Sequence, residues 1–573
     1  MSENFNGPKA PKDPTKKNPG FFIMRNKGIS SSPTDDGKGV VYIYESDGRL
    51  KSSAKIIGNI TDESMLDLLD TTEGFKKLVH SIGVTIECDD KDETVRFVFQ
   101  MYGKIDAYGG GTNIISDVKA DGMEKVTELS SISWREDDDV TGQIRFEFER
   151  PSTKATVSVK LYLNDGYEAP EVEDEFPVDF SSKEYQEMIA KSVMQTGNNH
   201  RLKNALEKAR SGEEVTFAFI GGSITQGAGA VPINTECYAR KMFEGFCDKA
   251  GRTYDSNVKY IKAGVGGTPS ELGILRYDED ILKEGTPDIV IVEFAVNDEG
   301  DETKGEFYDS LVRRIYHGEQ RPAVVLLFSV FADDGNLQER LKCVGESYKL
   351  PIVSVKDAVV DQFYKKTGEG RVVTKSQFFY DMFHPTNVGH RIMADGFLKL
   401  LDIVDGMEQD QDIESLEGIK PPKGADFENV IRIDRKVNAS LIRLDEGSFT
   451  SVNDELQKVE RNMDLFTTPQ FPDNYMYNPK DNNGEFKPLT IDAEFKIFMM
   501  VFLDSADNKV GKAEVFVDGE KTYYADPKVV GWTHCNAAIV YRSNESKKHH
   551  IEIKMADGSL NKEFTILGFG IVK

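Results

Sequence analysis

VTFAFIGGSITQGAG, residues 215–229, sets an apolar, β-branched run directly before a serine enclosed by glycines. The run reads as a buried strand, and Gly221-Gly222-Ser223-Ile224-Thr225 as the turn that leaves it. With so little side-chain bulk around it, Ser223 would stand open at a sheet edge where a substrate can approach. Four further runs share this texture: NVKYIKAG (257–264), DIVIVEFAV (288–296), AVVLLFSVF (323–331) and PIVSV (351–355). Segments of helical period separate them. Such alternation predicts a parallel sheet with helices on both faces, in which ligands sit at the carboxyl ends of the strands.

The other chemically unusual stretches fall at the ends of these same runs. The second run ends at Ala263-Gly264-Val265-Gly266-Gly267 and continues into Thr268-Pro269-Ser270-Glu271. That tetrapeptide predicts a helix start, with Thr268 as N-cap, Pro269 at the first helical position and Glu271 three residues after the cap. The N–H groups of Gly267 and its neighbours would then face an anion. The third run leads into Asn297-Asp298, which brings a side-chain amide to the same edge. After the fifth comes Asp381-Met382-Phe383-His384-Pro385, ahead of an apolar helix whose better cap is Thr386. An aspartate three residues before a histidine can bond one imidazole nitrogen and leave the other for a serine hydroxyl. Ser223 as nucleophile, His384 as base and Asp381 as orienting carboxylate form one half of the set that acyl transfer requires. The N–H groups of Ser223 and Gly267, with the Asn297 amide, are the oxyanion donors that complete it.

Taken in this order, the four stretches resemble the SGNH, or GDSL-type, hydrolase superfamily. Ser223, Gly267, Asn297 and His384 fall at its signature positions, and Asp381 completes the triad. The resemblance covers roughly residues 210 to 405. It implies a flavodoxin-like three-layer α/β/α domain and an activity among esterases, lipases and carbohydrate deacetylases, with no cofactor and no metal. Two positions depart from the family pattern: Gly222 stands where aspartate often precedes the serine, and Ala295 where a glycine commonly precedes the x-Asn-Asp. The pairing of GGSIT with EFAVND also resembles carbohydrate acetylesterases that carry an extra β-sandwich.

Outside the middle of the chain the texture is different. Residues 1–20, rich in Pro, Lys, Asn and Gly, are expected to form a disordered tail. Over 21–180, GVTIEC, TVRFVFQMYG, GQIRFEFE and KATVSVKLYL alternate apolar with polar residues and predict an N-terminal antiparallel sandwich. The hydrolase domain is expected over 181–408, a polar linker over 409–425, and a second antiparallel sandwich, with carbohydrate binding as an expectation, over 426–573. With 573 residues and 39% apolar content the chain is too long for one core. Its 97 acidic against 71 basic residues, a net charge of -26, argue against nucleic acid as a partner. No run is long enough to span a bilayer, and the N-terminus has no apolar export core, so neither a membrane segment nor a signal is expected. Five scattered cysteines without CxxC spacing predict reduced thiols in a cytoplasm rather than a disulfide framework.

Blander readings of the same residues exist. A glycine-flanked serine alone marks a turn, Asn297-Asp298 alone an Asx turn, and Asp381 to His384 alone a capping motif. Four such stretches at strand ends favour one shared site. His390 reads as a packed or solvated histidine, and a metal site built from His384, His390 and nearby acids lacks ligand spacing. Phosphate binding would need GK[ST] or G-x-G-x-x-G, which neither GGSITQGAG nor AGVGGTPSELG supplies. The α/β-hydrolase elbow G-x-S-x-G would need glycine where Thr225 stands. Trp532, Tyr523, Tyr524, Tyr102 and Tyr108 are either sugar platforms or core aromatics. The expected substrate is O-acetylated carbohydrate, such as xylan or mannan oligosaccharides. A general short-chain carboxylesterase or lysophospholipase-like hydrolase, and a carbohydrate-binding protein with a degenerate hydrolase core, are the alternatives. The sequence does not specify the sugar, the hydroxyl position or any subunit association.

Overall fold

The computed structural model describes residues 19–573 apart from 47, 107–108, 172–173, 255, 461–466 and 482–484. The expected tail lies outside the described residues up to 18, and a strand opens at Gly20. By contact the chain forms two compact units, Met1–Phe176 and Pro177–Lys573.

In the first unit two antiparallel sheets enclose one apolar core. Strand Lys154–Leu163 buries Val157, Val159 and Leu161 from one sheet, and strand Thr94–Gly103 buries Val95, Phe97 and Phe99 from the other. Short helices at Arg49–Ile56, Glu63–Asp67 and Thr72–Leu78 are additions the strand pattern did not announce. Thr71 caps the last of them, and Phe75 packs edge-on against Phe99 at 5.3 Å. Tyr102 is buried and offers no sugar platform, while Tyr108 lies outside the described residues.

In the second unit the expected runs form five parallel strands within an eight-stranded sheet. Across the sheet they stand in the order Ile352–Ser354, Ala323–Phe328, Ile289–Glu293, Val215–Gly221, Val258–Gly264. The first of these five strands thus lies between the second and third, and the winding direction reverses beside it. Side chains of that strand alternate between two helical layers. Phe217 meets Phe246 and Phe397 of helices Tyr238–Ala250 and Asn387–Gly406. Ala218 and Ile220 join Leu272, Phe307 and Leu311 on the opposite face. Three layers result, with the reversal point open at the carboxyl edge.

Beyond residue 408 the expected C-terminal antiparallel sheet is present, but residues 409–425 are packed rather than a free linker. Residues 409–425 are fastened along the hydrolase helices: Asp412 pairs with Arg201, the Tyr316 hydroxyl donates to Ile413, and Lys423 N–H donates to Asp309. Two short strands, Lys458–Glu460 and Thr467–Pro469, extend the α/β sheet past Val258–Gly264. The remaining long strands, including Leu489–Asp504, His534–Met555 and Phe564–Val572, make an antiparallel sheet that is covered on both faces along 497–504 and Phe564–Val572. Ile497, Met499, Val501 and Leu503 point into the α/β core with Leu275, and Phe498, Met500 and Phe502 into the sheet's own core. The physical reason was visible in KIFMMVFL (496–503), which has no polar alternation because neither face meets water.

Among the described residues, no helix is long and apolar enough to cross a membrane.

Candidate active site

Ser223 opens a single helical turn, Ser223–Gln226, at the end of strand Val215–Gly221. The glycine before it is required by a close approach: a Cβ on Gly222 would lie 2.3 Å from Oδ1 of Asn297. Asn297 follows the neighbouring strand Ile289–Glu293, so its carboxamide stacks directly on the serine turn. On the other side, Gly267 follows strand Val258–Gly264 with φ +67°, and a Cβ there would lie 2.9 Å from the Trp532 indole. Both glycines are sites where a side chain would displace a neighbour.

His384 arrives from the loop before helix Asn387–Gly406, which Thr386 caps by accepting the Gly389 N–H. Its Nε2 lies 2.9 Å from Ser223 Oγ. Its Nδ1 lies 2.9 and 3.0 Å from the two carboxylate oxygens of Asp381. An ionised carboxylate can only accept, so Nδ1 carries the proton and Nε2 is left to accept the Ser223 hydroxyl. Asp381 also accepts the N–H groups of Phe383 and His384, each at 2.8 Å. Burial works against its charge, but these partners outweigh it and hold the carboxyl below its ordinary value. Ser223, Gly267, Asn297, His384 and Asp381 therefore gather at one sheet edge.

Other expectations need correction or placing. Thr268 does not cap the following helix; its hydroxyl donates to Val265, and helix Ser270–Tyr277 follows Pro269. The cap comes instead from Asp298, whose carboxylate accepts the Ser270 N–H at 2.8 Å and its hydroxyl at 2.7 Å. Thr268 is too tightly engaged in the glycine turn to do both. His390 is packed, as expected: Nε2 donates to the Ala228 carbonyl, Nδ1 accepts the Tyr238 N–H, and burial pushes it down to about 4. Of the candidate platforms in the C-terminal sheet, Trp532 reaches the site, half exposed over Gly267. Tyr523 packs on Phe502, and Tyr524 lies under Lys512. Among the described residues, no group of His, Cys, Asp or Glu side chains is placed to hold a metal ion.

Several supporting residues escaped the sequence reading. Arg276 is fully buried and donates to the carbonyls of Gly221 and Ala263 at 2.7 Å, tying together the ends of the first two strands. Its partner Asp280, four residues on at 3.0 Å, is the only trace in the sequence, and such spacing ordinarily marks a helix surface. Glu293 lies beneath the serine turn, accepts the Thr225 hydroxyl at 3.3 Å, and is pushed up to about 7 by burial. Gln457 and His534 contact the Gly266–Gly267 segment from the far end of the chain.

With the reversed sheet order in view, the comparisons with known proteins agree with the fold. Residues 219–392 match the family model of GDSL-like lipases and acylhydrolases. This segment is a GDSL-like domain of the SGNH type, and the chain is a carboxylic ester hydrolase. Among solved structures, a two-domain esterase active on acetylated mannans is similar, at 24% identity and a TM-score of 0.56, over 67% of this chain and 99% of that one. The same kind of two-domain esterase co-crystallised with mannopentaose gives 23% identity and 0.54, over 67% and 98%. At these identities the likeness is one of fold. No curated protein matches the sequence.

Proposed function

We propose that this protein is a serine esterase that removes O-acetyl groups from carbohydrate, with oligosaccharides of mannan or xylan type as substrates. The observation that carries the reading is Ser223 Oγ at 2.9 Å from His384 Nε2, with Asp381 on the opposite ring nitrogen. Ser223 attacks the acetyl carbonyl as His384 takes its proton, and Asp381 stabilises the resulting imidazolium. The oxyanion is met by the N–H groups of Ser223 and Gly267 and by the Asn297 amide. The sugar hydroxyl leaves with the proton from His384, and water then releases acetate by the reverse transfer.

Three further observations support the substrate class. The net charge of -26 disfavours anionic substrates and is indifferent to neutral sugar esters. Trp532 offers an aromatic face beside Gly267, a surface suited to stacking on a sugar ring. The fold is shared with an esterase active on acetylated mannans. Five scattered cysteines, four of them buried, fit a reducing compartment, and the proposed setting is the cytoplasm.

Acetate release from acetylated mannan and xylan oligosaccharides, set against long-chain aryl esters, tests the proposal. Ser223→Ala is expected to abolish turnover on all of them. Hydrolysis confined to long-chain esters would favour a lysophospholipase-like hydrolase, and an inert wild type that binds oligosaccharide would favour a degenerate core.

A further inference from the structure

The reading above makes the Gly267 N–H an oxyanion donor, and the inference drawn here rests on it. That N–H belongs to the peptide joining Gly266 to Gly267. In a trans peptide the carbonyl and the N–H point in opposite directions within one plane. Whatever holds the Gly266 carbonyl therefore aims the Gly267 N–H. Two adjacent glycines, the second at φ +67°, give this peptide little intrinsic resistance to rotation.

The Gly266 carbonyl is held by Gln457, whose Nε2 donates to it at 2.7 Å. The amide has no freedom to turn over, because its Oε1 accepts the Cys535 N–H at 2.9 Å. The next carbonyl, that of Gly267, accepts from His534 Nε2 at 3.0 Å. Asn536 lies beside the His534 ring, its Oδ1 3.2 Å from Nδ1, and its Nδ2 donates to Asp504 at 2.8 Å. Asp504 also gathers the N–H groups of Val529 and Val530 at 2.8 and 3.0 Å, which fixes the loop that carries Trp532. Both carbonyls flanking the donor are thus gripped by side chains from the C-terminal part of the chain. Donation to a peptide carbonyl also polarises the amide and strengthens its N–H as a donor.

We propose that Gln457 is a positioning residue for ester hydrolysis: by gripping the Gly266 carbonyl, with His534 gripping the next, it aims the Gly267 N–H at the developing oxyanion. A merely structural contact would be felt in folding or in substrate binding. An aiming role is felt in the transition state, where the negative charge exists.

The test uses the full chain, with an aryl acetate as substrate and a boronic acid as a tetrahedral mimic. Gln457→Glu is the informative variant, since one carboxylate oxygen can still accept the Cys535 N–H while the donor to Gly266 is gone; Gln457→Leu removes both. For folded Gln457→Glu we expect kcat to fall about 10-fold or more, KM to stay within about 3-fold, and the boronate to bind more weakly in proportion to kcat. Wild-type kcat in folded Gln457→Glu, or a loss confined to KM, overturns the proposal. If Gln457→Leu does not fold, Gln457→Glu alone decides. Residual turnover in Ser223→Ala would instead overturn the underlying esterase reading, so the two failures are distinguishable.

Discussion

A side chain at position 222 would collide with Asn297, and this requires glycine directly before the serine. The bare glycine makes room for the Asn297 carboxamide. Gly222→Asp is therefore expected to push Asn297 off the serine turn and lower kcat by about 10²- to 10³-fold, the range for loss of one oxyanion donor. Steady-state kinetics on a small acetate ester check this, and unchanged turnover would mean that Asn297 has no part in the chemistry. The Asp381–His384 pair was legible because both partners sit three residues apart in one loop. Glu293 was not, since nothing local announces that a carboxyl at a strand end will be sealed beneath the serine turn.

At the scale of elements, the helix Ser270–Tyr277 owes its start to Asp298, from the loop after strand Ile289–Glu293. Its own sequence, with Thr268, Pro269 and Glu271 well spaced, predicted a self-contained cap. The glycine turn claimed Thr268, and a residue 28 positions away took its place. Burial pushes Asp298 up to about 7, against the opposing pull of the Ser270 N–H and hydroxyl. Its folded-state value thus lies above the ordinary 3.8, so the native state holds the proton more tightly than the unfolded chain between about pH 4 and 7. Stability from this group is present below pH 4 and is lost as pH rises through 7. Asp298→Asn, which keeps an oxygen for the Ser270 N–H, should flatten that decline in a pH series of thermal melts. Asp298→Ala should lower stability by about 1 to 2 kcal/mol for the lost cap below pH 4, with the deficit shrinking as pH rises through 7. A decline as steep in Asp298→Asn as in the wild type would assign the pH dependence elsewhere.

For the whole molecule, the decisive contact is that between the α/β layer and the C-terminal sheet. Leu275 of the hydrolase shares one core with Ile497, Met499, Val501 and Leu503, and each such side chain is worth about 1.5 to 3 kcal/mol when buried. A fragment of residues 177–425 should therefore fail to fold, giving no near-ultraviolet circular dichroism and no turnover. A fragment of residues 177–573, which contains every residue assigned to the site, should keep the kcat of the full chain on a small ester. An active, folded 177–425 fragment would refute the shared core and the role given to Gln457 together.

The sequence by itself determined the five strands, the hydrolase class and the cluster of serine, glycine, asparagine and histidine at strand ends. Those follow from periodicity and local spacing, which are written along the chain, and from a sheet architecture that brings all strand ends to one edge. Only the tertiary structure decided what holds that cluster in shape. Gln457 meets Gly266 across 191 positions and His534 meets Gly267 across 267, and Asp298 caps a helix it does not adjoin. A polar side chain far along the chain carries no local sign of which carbonyl it will satisfy, because that partner exists only once the two layers have packed.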